Sequence, residues 1–207
     1  MNLFYLDKDH DTNARFHIDK HVVKMILEAA EMLSMAHIVD QAVGYAARPL
    51  TKDEYRACLD YKASFKIQLP IERVIPYIGR DAHLNHPSTI WVRSSLENYY
   101  WTWCYMHSLE MERRYRNPNG VPVHQAYKLV CEKLDDPINI KDVGFTKFAL
   151  AMGNMIKQYP EFVDDNDPIK SYRYFYMADK SNFASWKSRE QPYWWDQTWA
   201  DAHALRD

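Results

Sequence analysis

The chain has 207 residues, 47% of them hydrophobic and 26% charged, with a formal net charge of −2. That is the make-up of a soluble globular protein with one good core. It excludes a protein that coats DNA by charge alone, because such binding draws its affinity from Lys and Arg on phosphates. A local basic groove stays compatible with it.

Glycine is scarce at 5 residues, and neither a Gly-rich nucleotide fingerprint nor a P-loop is present. Aromatic residues reach 14%, with 7 Trp and 15 Tyr, which suits a thick core or surfaces that stack on bases. Cys58, Cys104 and Cys131 are odd in number, far apart and not in CxxC spacing. They read as reduced core thiols of a cytoplasmic protein. The opening Met1-Asn2-Leu3-Phe4-Tyr5-Leu6-Asp7 lacks the basic segment and apolar run of a signal peptide, and no run is long enough to span a membrane.

Residues 2–6 are apolar and aromatic, a short strand or an extended arm laid on the core. Asp9 or Asp11 is suited to cap a short helix through Arg15. A central helix is expected from about Asp19 to Ala36, with Asp19 as N-cap and His17 just before it, or with His17 inside it. Gly44 and Pro49 then break the chain, and Thr51-Lys52-Asp53-Glu54 has the form of a capping box opening a helix through about Gln68. Pro70, Pro76 and Gly79 punctuate a connector, and about 42–84 reads as an insertion beside the core.

Asn85-His86-Pro87-Ser88 opens a second major helix, with Pro87 in its first turn, running on to Arg114. Asn117-Pro118-Asn119-Gly120 is a stop and turn. Helices follow from about Pro122 to Leu134, from Phe148 to Tyr159 and from Ile169 to about Lys187, and the aromatic Pro192-Tyr193-Trp194-Trp195 closes the chain. Almost all the periodicity is helical. The expected fold is a single all-α domain, residues 1–207, built on two long helices with a short extended N-terminal arm.

The most informative stretch is His17-Ile18-Asp19-Lys20-His21-Val22-Val23-Lys24-Met25-Ile26-Leu27-Glu28. Wound as a helix, it sets His17, His21, Lys24 and Glu28 on one stripe. The remainder is apolar, whereas a surface helix normally carries a wide polar face. Two imidazoles, an amine and a carboxylate on a narrow strip can move protons or hold an anion. Burial pushes a carboxylate toward its neutral form while neighbouring cations push back, and that tension tunes a general acid or base. Against this stands the plainer picture of a solvated Glu28 paired with Lys24 at i,i+4.

His17 and His21 have metal-ligand spacing, but a zincin needs Glu directly after the first His and Ile18 stands there. No second His/Cys cluster has finger-like spacing, so proton transfer or phosphate binding is favoured and no metal or cofactor is expected. His86, Trp91, Arg93, Ser94 and Asn98 line the start of the second helix, where free N–H groups favour anions. Buried backbone pairing is the alternative role for Ser94 and Asn98. Tyr172, Arg173 and Lys180 belong to a stretch that interleaves rings with cations, suited to bases and phosphates but more often simply core.

Two resemblances follow from these residues. Asp-Lys-His-Val-Val-Lys-Met, His-Pro-Ser-Thr-Ile-Trp and Ser-Tyr-Arg-Tyr resemble a protein family widespread in tailed-phage genomes, over most of the chain except about 42–84. More distantly, Asp19-x-His21 followed by Glu28 resembles the first helix of the pyrimidine-dimer DNA glycosylases of the endonuclease V type. Residues 86–114 loosely resemble that family's later long helix.

The second resemblance implies an all-α enzyme that cleaves the glycosidic bond of a damaged pyrimidine and then nicks the strand. Glu28 would be its catalytic carboxylate and His21 a DNA-contacting residue, with Asp19 beside it. That family's nucleophile is the α-amine exposed by methionine removal. The chain departs from it in carrying Leu27 and Glu31 where the family has arginines, and Asn2 at the amine position.

The leading expectation is an enzyme that acts on a damaged or modified pyrimidine in DNA, in the host cytoplasm if phage-encoded. Glu28, His21, His17 and Lys24 would be catalytic, and Asp19, His86, Trp91, Arg93, Ser94, Asn98, Tyr172, Arg173 and Lys180 would bind substrate. The alternatives are a nucleotide- or DNA-hypermodifying group transferase, and a non-catalytic phage protein that binds nucleic acid or a host protein.

Overall fold

The computed structural model describes residues 2–68 and 83–206, and every regular element in them is a helix. The helices are α1 (His10–Phe16), α2 (Asp19–Ala42), α3 (Lys52–Gln68), α4 (Pro87–Val92), α5 (Leu96–Arg116), α6 (Gln125–Lys133), α7 (Gly153–Gln158), α8 (Pro168–Lys180) and α9 (Gln197–Ala202). The fold is all-α, organised on the two long helices α2 and α5, which pack along each other. Pro70, Pro76 and Gly79 of the expected connector lie outside the described residues.

Asp9 caps α1 by accepting the Thr12 N–H at 2.8 Å. Ile18, not Asp19, is the N-cap of α2, and His17 is the C-cap of α1, outside the central helix. Asp19 is instead the first helical residue, and its carboxylate ties the helix start to a later loop. It accepts from the Ser185 hydroxyl at 2.6 Å, the Lys187 N–H at 3.1 Å and Arg116 at 3.0 Å. The same loop ends α8 early, at Lys180 rather than Lys187, because the Ser185 carbonyl takes the Asp19 N–H.

α2 also runs past Ala36 to Ala42, and Gly44 at φ +84° closes it by sending its N–H back to Val39. Only glycine enters that region without strain. Most of the helix is buried on every side, as an apolar helix crossing a core must be. α3 starts on the expected box: the Thr51 N–H reaches Glu54 at 2.8 Å and the Glu54 N–H reaches the Thr51 hydroxyl at 3.3 Å.

The second long helix is two helices. The chain breaks over Arg93–Ser95 between α4 and α5, and buried side chains hold the break. Arg93, 1% exposed, donates to the carbonyls of Ala46, Leu84 and Arg48 at 2.5–2.8 Å. Burial lowers its pKa to about 10, which leaves it a cation at neutral pH. Asn98 donates to the Trp91 carbonyl at 2.8 Å, beside the Ser94 N–H at 3.1 Å, and the Ser94 hydroxyl returns to Ile90 at 2.6 Å. These bonds replace the helical ones the kink removes.

Phe148–Tyr159 is also shorter than its apolar run suggested. Only Gly153–Gln158 is helical, since the backbone at Ala149 and Ala151 is bonded to Tyr172 and Asn2 instead. α6 begins at Gln125 with the His124 ring as its cap, and α9, capped by Asp196, follows the aromatic tail.

The arm is extended without being a strand, because its partners are mostly side chains. The Asn2 N–H goes to Glu28, that of Leu3 to the Asn2 side chain and that of Leu6 to Asn13, while Arg173 takes the Leu6 carbonyl. Leu3, Phe4 and Leu6 point into the main core, between α2, α5 and α8. A second cluster holding Met35, Val39, Leu50 and Cys58 seats α3 on the far end of α2.

Candidate functional site

The arm delivers Asn2 into a buried crown of polar groups contributed by four segments. From α2, Glu28 accepts the Asn2 backbone N–H on Oε2 at 2.7 Å and pairs with Lys24 through Oε1 at 3.0 Å. Glu28 is 7% exposed, whereas the Lys24 side chain is 62% exposed, so a charged amine from solvent meets a carboxylate set into the core. The Asn2 amide donates to the Ala151 carbonyl at 2.9 Å. Its Oδ1 lies 3.2 Å from the Tyr172 hydroxyl of α8 and 3.4 Å from that of Ser88 on α4. The Tyr172 hydroxyl also reaches the Ala149 carbonyl at 2.7 Å and accepts the Ala151 N–H at 3.2 Å.

His86 caps α4 beside this crown, its Nδ1 accepting the Ser88 N–H at 3.2 Å. Burial lowers its pKa to about 4, so it is a neutral imidazole at pH 7. Burial also raises the Tyr172 hydroxyl pKa, which keeps it a neutral phenol. The site therefore combines one carboxylate, one ammonium, a neutral imidazole, a phenol and a backbone nitrogen at bonding distance from the carboxylate.

The two other members of the stripe sit deeper. His17 is fully buried, with Nδ1 against the Asn13 carbonyl at 2.7 Å and Nε2 against the Tyr105 hydroxyl at 2.8 Å. Desolvation drives its pKa to about 3. Its bonds are those of a core histidine and leave no nitrogen for a substrate, contrary to the expected catalytic role. His21 is 4% exposed, stacked on Phe4 at 5.0 Å, and has its Nδ1 without a hydrogen-bond partner. Burial lowers its pKa to about 2, with His17, Lys180 and Lys24 adding repulsion.

Several expected substrate-binding residues are occupied by the fold. Arg93, Ser94 and Asn98 hold the α4–α5 break, and Asn98 also bonds Thr146 at 2.6 Å. Trp91 is 4% exposed among Trp101, Phe145 and Phe148, with its Nε1 on the Thr146 carbonyl at 3.4 Å. Asp19 is spent on the α2 start. Arg173 is bound to Leu6 and, at 3.1 Å, to Asp7. Lys180 pairs with Asp179 and stands over the Phe4 and Phe183 rings. A buried polar group whose bonds are all internal stabilises the structure and has nothing left to offer a base.

The site thus gathers Glu28, Lys24, His86 and Tyr172, and adds Asn2 and Ser88, which the stripe did not reveal. Asn2 is visible only once the fold brings the arm across α2, although the glycosylase resemblance does single out residue 2. Two clefts among the described residues, of about 840 and about 750 Å³, are lined by residues other than Glu28. No group of three His, Cys, Asp or Glu among the described residues is placed to hold a metal ion, and no described helix is long and apolar enough to cross a membrane. Compared with family models, curated proteins and solved structures, the chain has no match.

Proposed function

We propose that this protein is an enzyme that cleaves the N-glycosidic bond of a damaged or modified pyrimidine in DNA, with Glu28 as its catalytic carboxylate. The observation that carries the reading is the contact between Glu28 and Asn2 N. A carboxylate sunk in an apolar wall holds one nitrogen on each oxygen, at 2.7 and 3.0 Å. Both nitrogens are connected to amine chemistry. Lys24 is one already, while the Asn2 nitrogen is a backbone amide at the position of the nucleophilic α-amine of the glycosylases the sequence resembles, and Asn at residue 2 disfavours the methionine removal that would free it.

In this reading the deprotonated amine attacks C1′ of the deoxyribose, and the C1′–N bond breaks with its electron pair leaving on the base, which takes up a proton. Glu28 stabilises the positive charge that builds on the sugar and accepts the proton the amine gives up. The covalent product is an imine once the sugar ring opens, and water then releases it. The base must leave the stack to reach the site. Neutral His86, beside the crown, is suited to proton transfer at the leaving base.

The test is incubation with normal, ultraviolet-irradiated and phage-modified DNA, with and without borohydride, followed by mass mapping of any adduct. A reduced adduct on residue 2 or on Lys24 supports the amine route. Base release without an adduct would replace the amine by water activated at Glu28. No release from any of these DNAs contradicts the reading.

A further inference from the structure

The 840 Å³ cleft lies between the end of the N-terminal arm, the 145–148 segment and the start of α8. Its apolar part is aromatic: Tyr5 stacks on Phe148 at 4.7 Å, and Phe145 packs edge-on against Trp91 at 5.5 Å. Phe145 keeps 45% of its surface exposed, a large ring left open on the wall of a concave site. Burial and nearby Asp7 raise the Tyr5 pKa, so its hydroxyl stays protonated and able to donate. The charges on the rim are mostly matched: Arg173 pairs with Asp7 at 3.1 Å and Lys147 with Asp165 at 3.0 Å. Lys8, on the same rim, is exposed and has no ion-pair partner among the described residues.

We infer that this cleft binds a nucleotide, its base stacked on Phe145 and its phosphate on Lys8. Aromatic faces accept any base, and the protonated Tyr5 hydroxyl on the same wall can donate to a base edge. One unmatched lysine suits a single phosphate rather than a polyphosphate.

The cleft is also joined to the candidate site by two stretches of chain. The arm that contributes Tyr5 and Lys8 places Asn2 at Glu28, and the segment that contributes Phe145 and Phe148 continues to Ala149 and Ala151, which hold Tyr172 and Asn2. Three extended residues span at most about 10 Å, so the Tyr5 backbone lies within about that distance of Asn2, which bonds Glu28. The strand as the source of the nucleotide rests on the proposed function. A free nucleotide is the other source of the same chemistry.

The test is binding of a labelled single-stranded oligonucleotide, followed by anisotropy, and of the four deoxynucleoside monophosphates, followed by calorimetry. The proteins are wild type, Phe145→Ala and Lys8→Ala, both substitutions being on exposed side chains. Stacking contributes about 1–3 kcal/mol per base, so Phe145→Ala is expected to weaken binding on the order of tenfold or more. Lys8→Ala is expected to weaken it less and to flatten its salt dependence.

Oligonucleotide binding that depends on Phe145 places a strand in the cleft, and binding confined to monophosphates makes the source a free nucleotide. Equal affinities for wild type and Phe145→Ala, or no binding by wild type to either probe, would overturn the inference. Base excision that survives in a protein with Phe145-independent binding sinks the cleft and spares the catalytic reading. Phe145-dependent binding without any excision does the reverse.

Discussion

Glu28 and Asn2 are 26 residues apart in sequence, and the carboxylate of one accepts the backbone N–H of the other at 2.7 Å. Three further bonds of the arm, from the Asn2 amide to Ala151, from the Leu6 N–H to Asn13 and from Arg173 to the Leu6 carbonyl, fix that contact from the other side. A mobile N-terminus would cost ordering entropy each time it engaged the carboxylate. Here the cost is met by folding, and the nitrogen stands in place.

Glu28→Gln should leave the fold intact. The amide oxygen of glutamine still accepts the Asn2 N–H, and the lost Lys24 pair is an i,i+4 contact with one exposed partner, worth about 0.5 kcal/mol or less. Urea unfolding should give a midpoint close to wild type. A loss of several kcal/mol would make Glu28 a structural residue.

Asn2→Ala removes the amide that bonds Ala151 and faces Ser88 and Tyr172 while leaving the backbone N–H on Glu28. The expected cost is about 1–2 kcal/mol, mostly from the Ala151 carbonyl and the Leu3 N–H losing partners. Activity should fall more than stability, because the arm would no longer hold the nitrogen steady. The comparison to make is thermal unfolding against turnover on the same preparation.

Acid should destabilise the protein from near neutrality. His17 and His21 have folded pKa values of about 3 and about 2 against an ordinary value of 6.5, depressed by burial. The unfolded chain therefore takes up protons below pH 6.5 that the folded chain refuses, so stability is full above 6.5 and falls as pH drops. Each histidine contributes about 1.4 kcal/mol per pH unit in that window, which gives roughly 4 kcal/mol for the pair between pH 6.5 and 5. The lowered carboxylates, such as Glu54 at about 2, carry their loss at lower pH, below the unfolded value near 4.5. Denaturant titrations at pH 7, 6 and 5 read this directly, and a flat profile would mean that these imidazoles protonate within the fold.

Arg93→Met should be among the most damaging single changes outside the site. It strips three carbonyls at the α4–α5 break of their donor and leaves them buried. A loss of about 3 kcal/mol or more is expected, read by calorimetric melting. Retained stability would show that the break holds without the guanidinium.

The all-helical architecture was legible because periodicity and caps agree over α1, α2 and α3: Asp9, the Thr51/Glu54 box and the apolar run after Asp19 are local signals. The break at Arg93–Ser95 was not legible, since its cause is a buried cation reaching carbonyls up to 47 residues away. In sequence Asp19 reads as a cap for the same reason, since its partners Ser185 and Arg116 lie 166 and 97 residues away. At the site, the stripe marked Glu28 and Lys24 correctly as neighbours but could not separate them from His17, which the fold turns inward to Tyr105. Arg93, Asn98 and Trp91 carry chemistry that reads as binding in one dimension and is consumed by the core in three.

The measurement that bears most directly on the account is release of free base from ultraviolet-irradiated and phage-modified DNA, by wild type and by Glu28→Gln at matched folding. The account predicts release by wild type and a loss of at least about a hundredfold in the variant, the lower range for removing a general acid or base. Release that persists undiminished in Glu28→Gln, or none from wild type on either DNA, would contradict it.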